Sequence, residues 1–251
     1  MNTLIIMAIL LFLLMTIFGG EKGARSFGAL FFNFGVFLLA ILFMLDASID
    51  PLIIILLACV VISSFNLFYI NGVNTKTIAA FFSTILTILA IALPIIALTK
   101  SAMIPAFSGE ELPELTAFSL YIGVDFVKVG VSVVILSTIG ALTDSAISVS
   151  SPMQEILKNN SSISKKELFK TGMSIGVDQL GTNTNTLFFA FFGSYLGLLI
   201  WFKELSYSVG EIINSSIFNT EMLIILFAGI GIALIIPVTA WLTTYLLMKK
   251  K

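Results

Sequence analysis

PLIIILLACVVISSFNLFYI, residues 51–70, contains no charged side chain. Wound as a helix at 1.5 Å per residue it extends about 30 Å, the thickness of the hydrocarbon core of a bilayer. Working outward, comparable apolar stretches fall at about 2–18, 27–45, 78–98, 117–142, 179–202 and 221–246. Turn-forming residues divide them: Gly19-Gly20, Asp50-Pro51, Asn71-Gly72, Ser108-Gly109, Asn159-Asn160 and Asn214-Ser215. The 251 residues are 58% hydrophobic and 11% charged, with mean hydropathy +1.10. A water-soluble domain carries about 25% charged residues, so part of this chain's solvent is lipid. The reading is an all-α polytopic transmembrane helix bundle of about seven spans, forming one transmembrane domain over residues 1–251. The first apolar run has no basic residue ahead of it, and Lys22 and Arg25 follow it. That is the reverse of a cleaved secretory signal, and it reads as a retained helix.

Basic residues set the orientation. Lys22, Arg25, Lys76, Lys158, Lys165, Lys166, Lys170, Lys249, Lys250 and Lys251 occupy alternate connections, whereas the others hold Lys100 and Lys203. Those other connections carry the acids Asp46, Asp50, Glu110, Glu111, Glu114, Glu204 and Glu211, with Glu221 at the edge. By the positive-inside rule the chain runs N-out to C-in. Residues 99–116 read as an irregular acidic outer loop. Residues 204–218 alternate between an amphipathic helix in the outer interface and a plain hydrophobic loop.

The chain has no histidine and one cysteine, Cys59, inside an apolar run. Imidazole-based zinc sites, Ser-His-Asp or Cys-His catalysis and internal disulfides are thereby excluded. A net charge of −1 gives no reason to expect nucleic acid as a partner, and nothing points to a cofactor; the identity of any bound metal stays open.

Polar groups in lipid are costly, and here they gather between residues 121 and 190. Asp125 and Lys128 stand at i and i+3 and can neutralise one another on one helix face, either as a structural clip or as an outer-half charge pair serving a cavity. Asp144, Ser148, Ser151 and Glu155 follow at i, i+4, i+7 and i+11, a single stripe; Pro152 should disturb that helix. After a basic loop come Asp178, Thr182 and Asn185 at i, i+4 and i+7, flanked by Thr184 and Thr186. Two such stripes on antiparallel neighbours, facing each other, would form a column of oxygen ligands running inward from the cytoplasmic interface. The same pattern also serves as interhelical hydrogen-bond glue. Gly172, Gly176 and Gly181, with Gly193 and Gly197 beyond, form small faces for close helix approach. Residues 143–157 read either as a re-entrant turn or as a cytoplasmic extension of the fifth span.

The run Gly140-Ala141-Leu142-Thr143-Asp144-Ser145-Ala146-Ile147-Ser148, continuing through Ser151 to Glu155, resembles the signature of the YibE/F family of bacterial membrane proteins. So does Thr171-Gly172-Met173-Ser174-Ile175-Gly176-Val177-Asp178, through Gly181-Thr182 to Thr184-Asn185-Thr186-Leu187. The polar signature region is 140–190, and the chain is similar to the shorter, YibF-like member that lacks a soluble amino-terminal region. The resemblance implies a multi-pass protein of the bacterial cell (cytoplasmic) membrane and a partner: a longer YibE-like membrane protein or, alternatively, further copies in a homo-oligomer. It does not fix the activity. Three readings stand. One is a transport subunit moving a small ion or polar solute past the polar residues of 121–190. Another is a non-transporting assembly or regulatory partner. The third is an intramembrane enzyme using the aspartate pair.

Overall fold

The computed structural model describes residues 3–46, 48–101 and 126–249. Among them the chain is helical, with no strand: α1 Thr3–Met44, α2 Pro51–Ser64 running into a π-helical segment Phe65–Tyr69, α3 Thr75–Ser101, α4 Phe126–Asn159, α5 Lys165–Glu204, the short α6 Val209–Asn214, and α7 Ser216–Lys249. Six of these stretches are long and apolar enough to cross a membrane, and α1 supplies two crossings. Its helix breaks at Gly20, at φ 57° and ψ −140°, a backbone region reserved for glycine. Beyond the break the chain doubles back: the rings of Phe12 and Phe27 lie 5.0 Å apart, and Gly23 presses against the backbone of Met15. The seven spans expected from hydropathy are therefore present.

α3, α4 and α7 pack on one another at the centre, α2 leans on α4, and α5 leans on α7 and α4. Leu67, Ile91, Ile95, Val131, Ile135, Leu142 and Ile235 fill the middle of this core. Val149, Met153, Leu168, Ala240 and Leu247 form a second cluster. Hydroxyls enter the core cheaply by bonding their own helix: Ser83 Oγ donates to the Ala79 carbonyl at 2.8 Å and Thr84 Oγ1 to Ala80 at 2.9 Å. The second arm of α1 docks through polarity instead. Asn33 Nδ2 donates to Asn66 Oδ1 in the π-helical segment at 2.9 Å, and Phe32 stacks on Phe65.

The connections carrying basic residues meet at one end of the bundle. Arg25 donates to the Tyr69 carbonyl, Lys76 donates to Ser151, and Thr75 and Lys249 line one depression. Asp50 and Lys128 meet at the other end. Residues 143–157 are neither re-entrant nor separate, because α4 runs unbroken through them. Pro152 is accommodated within the helix, where its missing N–H leaves the Ser148 carbonyl without its usual i+4 donor. In place of an amphipathic helix over 204–218 there is only α6, a six-residue helix started by a Ser208/Glu211 capping box. The acidic loop expected at 99–116 lies, from residue 102 on, outside the described residues.

The hairpin within α1 is testable. Gly20→Ala adds strain of about 1–3 kcal/mol, and Gly23→Ala forces a methyl into the Met15 backbone; Gly28→Ala meets nothing within 4 Å. With cysteines at positions 12 and 27 in a Cys59→Ala background, a short bismaleimide should join the two arms. We expect cross-linking to fall several-fold with Gly20→Ala or Gly23→Ala and to persist with Gly28→Ala.

Candidate functional site

The two polar stripes lie on neighbouring antiparallel helices, α4 and α5, whose register is fixed by two contacts. Asn183 Nδ2 donates to Ser145 Oγ at 3.0 Å, and Gly172 sits against the Met153 side chain. Asp144 is thus level with residues 183–184 of α5, Ser148 with residues near Asp178, and Ser151 with residues near Ile175. The carboxylates of Asp144 and Asp178 are separated by about 8 Å along the axis, at 1.5 Å per residue. That spacing does not suit an aspartyl dyad, whose carboxyls share a proton.

The stripes do not face each other across the α4–α5 contact. Ser145, which makes the contact, is about 100° round α4 from Asp144, and Asn183 is about 140° round α5 from Asp178. Because the helices are antiparallel, these rotations have opposite hand when viewed from one end. Both polar faces consequently turn to the same side of the helix pair, forming the walls of an open groove. Asp144, Glu155, Asp178, Thr182, Asn185 and Thr186 are exposed there, and Ser148 and Ser151 are half-buried. Thr184 turns the other way, against Gly229 of α7. Thr184 and Thr186 hydroxyls bond back to the Leu180 and Thr182 carbonyls at 2.8 and 2.9 Å.

On α4 the polar line is longer than the sequence motif. Ser137, Gly140, Asp144, Ser148, Ser151 and Glu155 fall within an arc of about 80° and extend about 27 Å along the axis. Each end opens into a cavity. The outer one, about 230 Å³ between α4, α5 and α7, is lined by Ser137, Ser194, Tyr195 and Glu221 among apolar neighbours; Tyr195 Oη donates to Glu221 Oε1 at 2.8 Å. The inner one, about 200 Å³, contains Ser151 and Glu155 together with Lys76, Gln154 and Lys158. Lys76 Nζ donates to Ser151 Oγ at 2.8 Å. Gly140 has open space beside it.

Of the five glycines on small faces, Gly172 and Gly176 are buried in helix contacts, the latter against Ile236 of α7. Gly181, Gly193 and Gly197 have nothing within 4 Å. A close approach that sequence reading missed is Gly231, which admits Leu142; its signal was a second small residue, Gly229, two positions before it. Also missed were Ser145 and Asn183, each one residue off a stripe. Among the described residues no three His, Cys, Asp or Glu side chains converge as a metal site.

Asp125 lies outside the described residues. Lys128 makes an ion pair with Asp50, Nζ to Oδ2 at 2.6 Å. Asp50 is the N-cap of α2 and accepts from the Leu52 N–H at 3.0 Å. Lys128 thus sits level with the N-terminal end of α2. α4 continues from there to Asn159, with the polar stripe in the half away from Lys128.

Residues 7–249 match the sequence model of the YibE/F-like protein family. The chain belongs to that family. No curated protein and no solved structure matches it. Family membership and the long apolar helices make it a multi-pass membrane protein. In this YibE/F-like chain the recognised motifs coincide with the groove walls.

The Asp50–Lys128 pair is about one-third exposed on both sides, so its coupling is small, about 0.5–1 kcal/mol. Asp50→Asn keeps a capping side chain and should lose only that coupling; Asp50→Ala should lose about 1 kcal/mol more with the cap. Thermal unfolding in detergent should show Asp50→Asn costing nothing further once Lys128→Met is present.

Proposed function

We propose that this YibE/F-like chain is a subunit of a membrane transporter, and that a small cation or polar solute moves along the polar face of α4 with α5 as the second wall. The observation that carries this reading is the line from Ser137 to Glu155, which links a cavity in the outer half to one at the inner end. Glue between helices needs polar groups only where helices touch, yet Asp144, Asp178, Thr182 and Asn185 are exposed. Carboxylates, hydroxyls and carboxamides are hard oxygen donors, suited to H⁺, Na⁺, Mg²⁺ or a polar organic solute and poorly suited to copper or zinc. Asp144 and Asp178, near successive levels of the groove, would exchange the cation or proton between them. Lys128 and Asp50 would hold the outer helix ends in place.

An open polar groove is costly against lipid, at about 2.5–3.5 kcal/mol for each mid-membrane charge on translocon scales. A second membrane protein closing the groove, a longer YibE-like chain or another copy of this one, removes that cost and turns the groove into a conduit. The bacterial cell membrane is the location this reading requires. Open space beside Gly181, Gly193 and Gly197 also supports a second reading, an assembly partner that docks on this face without transporting anything.

Reconstitution in liposomes, alone and with co-expressed partner chains, separates the two. Under the transport reading Asp144→Asn and Asp178→Asn each reduce H⁺, Na⁺ or Mg²⁺ flux at least about ten-fold, a loss of roughly 1.4 kcal/mol in barrier height, with folding and assembly unchanged. Gly181→Leu leaves the isolated chain folded, since its side chain enters open space, but blocks assembly. Full function in both aspartate variants, with assembly still lost in Gly181→Leu, would leave only the docking reading.

A further inference from the structure

The inner cavity has a charge pattern that the groove does not use. α3 begins at Thr75, capped by Asn74, whose Oδ1 accepts from the Thr77 N–H at 3.2 Å. The positive end of the α3 dipole therefore points into this region. Lys76 leans across to Ser151, and Lys158 enters from the last turn of α4. Two ammonium groups, Lys76 and Lys158, thus meet one carboxylate, Glu155, at a cavity of about 200 Å³ whose exposed lining is mostly polar. Its wall includes Asn71 and Asn74, and Gln154 Oε1 is buried there with no hydrogen-bond partner.

The level of the cavity identifies what it meets. The apolar run of α2 and its π-helical extension ends at Tyr69, two residues before Asn71, and apolar α3 resumes immediately after Lys76. Asp50, at the outer end of α2, is about 28 Å away along that helix. The cavity therefore opens where the phosphates of the inner leaflet lie, and basic pockets between spans on the cytoplasmic side recognise anionic headgroups.

We propose that this cavity is a binding site for the headgroup of an anionic phospholipid of the inner leaflet, one bearing a single phosphodiester and free hydroxyls, as phosphatidylglycerol does. Lys76 and Lys158 take the phosphate. Gln154 Oε1 and the Glu155 carboxylate accept from the headgroup hydroxyls, which gives the unpartnered carboxamide oxygen a donor. The excess of positive charge disfavours a zwitterionic headgroup whose ammonium would compete with the lysines. The proposal shares the inner cavity and Glu155 with the proposed transport line but does not rest on transport, because Lys76, Lys158 and Gln154, which carry it, are given no part in moving the cation or solute.

Native mass spectrometry of the whole chain, released from micelles containing equal amounts of phosphatidylglycerol, phosphatidylethanolamine and phosphatidylcholine, tests it. Phosphatidylglycerol adducts should dominate. A lysine near a membrane surface contributes about 1 kcal/mol toward an anionic lipid, so Lys158→Gln should lower that adduct about five-fold, and Lys76→Gln with Lys158→Gln about twenty-five-fold. Lys158 is exposed on a final helical turn, so its variant folds even if loss of the Lys76–Ser151 bond disturbs the other. Lys165→Gln and Asp144→Asn should retain the preference. Equal adducts of the three lipids, a preference for phosphatidylethanolamine, displacement of the lipid by inorganic phosphate, or the same loss in Lys165→Gln would each overturn the assignment.

Discussion

Within the hydrocarbon of a bilayer no water is present to satisfy a backbone N–H or C=O, so every crossing segment must close its own hydrogen bonds as a helix. This constraint sets the architecture of the chain before any side chain is considered. It also makes apolar packing between helices weak as a driving force, since lipid tails are as apolar as leucine. Association then depends on small residues that let helices approach and on the few polar groups that find partners. Both are visible here. Gly172, Gly176 and Gly231 admit Met153, Ile236 and Leu142, while Asn33–Asn66 and Asn183–Ser145 join helices by single hydrogen bonds. Core hydroxyls such as Ser83 and Thr84 return to their own helix and leave the packing undisturbed.

The same constraint explains which features could be read from the sequence. Hydropathy and turn residues locate the spans because length and apolarity are imposed by the solvent. Gly19-Gly20 marks a hairpin because only glycine takes the φ/ψ found at Gly20. Helical spacing correctly places Asp144 with Ser148, Ser151 and Glu155 on one line, and Asp178 with Thr182 and Asn185 on another. What spacing cannot give is the direction in which a face turns. That is decided by which side of the helix packs, and on α4 and α5 the packing sides are set by residues that look unremarkable in sequence: Ser145, Met153, Gly172 and Asn183. The pairing of Lys128 with Asp50 was hidden for a related reason. Asp50 is 78 positions away and meets it only because α2 and α4 are neighbours, whereas local spacing offers Asp125 at once.

Polarity is distributed along α4 in a graded way. At its outer end Lys128 pairs with Asp50, the N-cap of α2, whose carboxylate the positive end of the α2 dipole supports. At its inner end, Ser151 and Glu155 join lysines in a cavity at headgroup level. Between these ends only Ser137, Gly140, Asp144 and Ser148 interrupt the lipid-compatible surface, and they do so on one line. A structural role would concentrate these groups at helix contacts, where hydrogen bonds offset the loss of water. The contact face of α4 combines Val131, Val134, Ile135 and Leu142 with the buried hydroxyls of Ser132, Thr138, Thr143, Ser145 and Ser150, whereas the carboxylates of Asp144 and Glu155 are exposed.

The energetic consequence bears on the state in which such a chain exists. Two unpaired carboxylates at about 2.5–3.5 kcal/mol each approach the lower end of a typical protein's whole stability of about 5–15 kcal/mol. Protonation, a bound cation or a covering protein can each remove that burden, and these remedies are not exclusive. Under the proposed function a protonated or cation-loaded carboxylate is an intermediate of transport, and a covering protein would turn the open groove into an enclosed path. The geometry that makes the isolated chain costly in lipid is therefore the geometry that the proposed loaded, assembled complex would relieve. Helix faces that pack tightly within the chain need no such completion, which is why the open glycines and the exposed carboxylates occur together on the α4–α5 side.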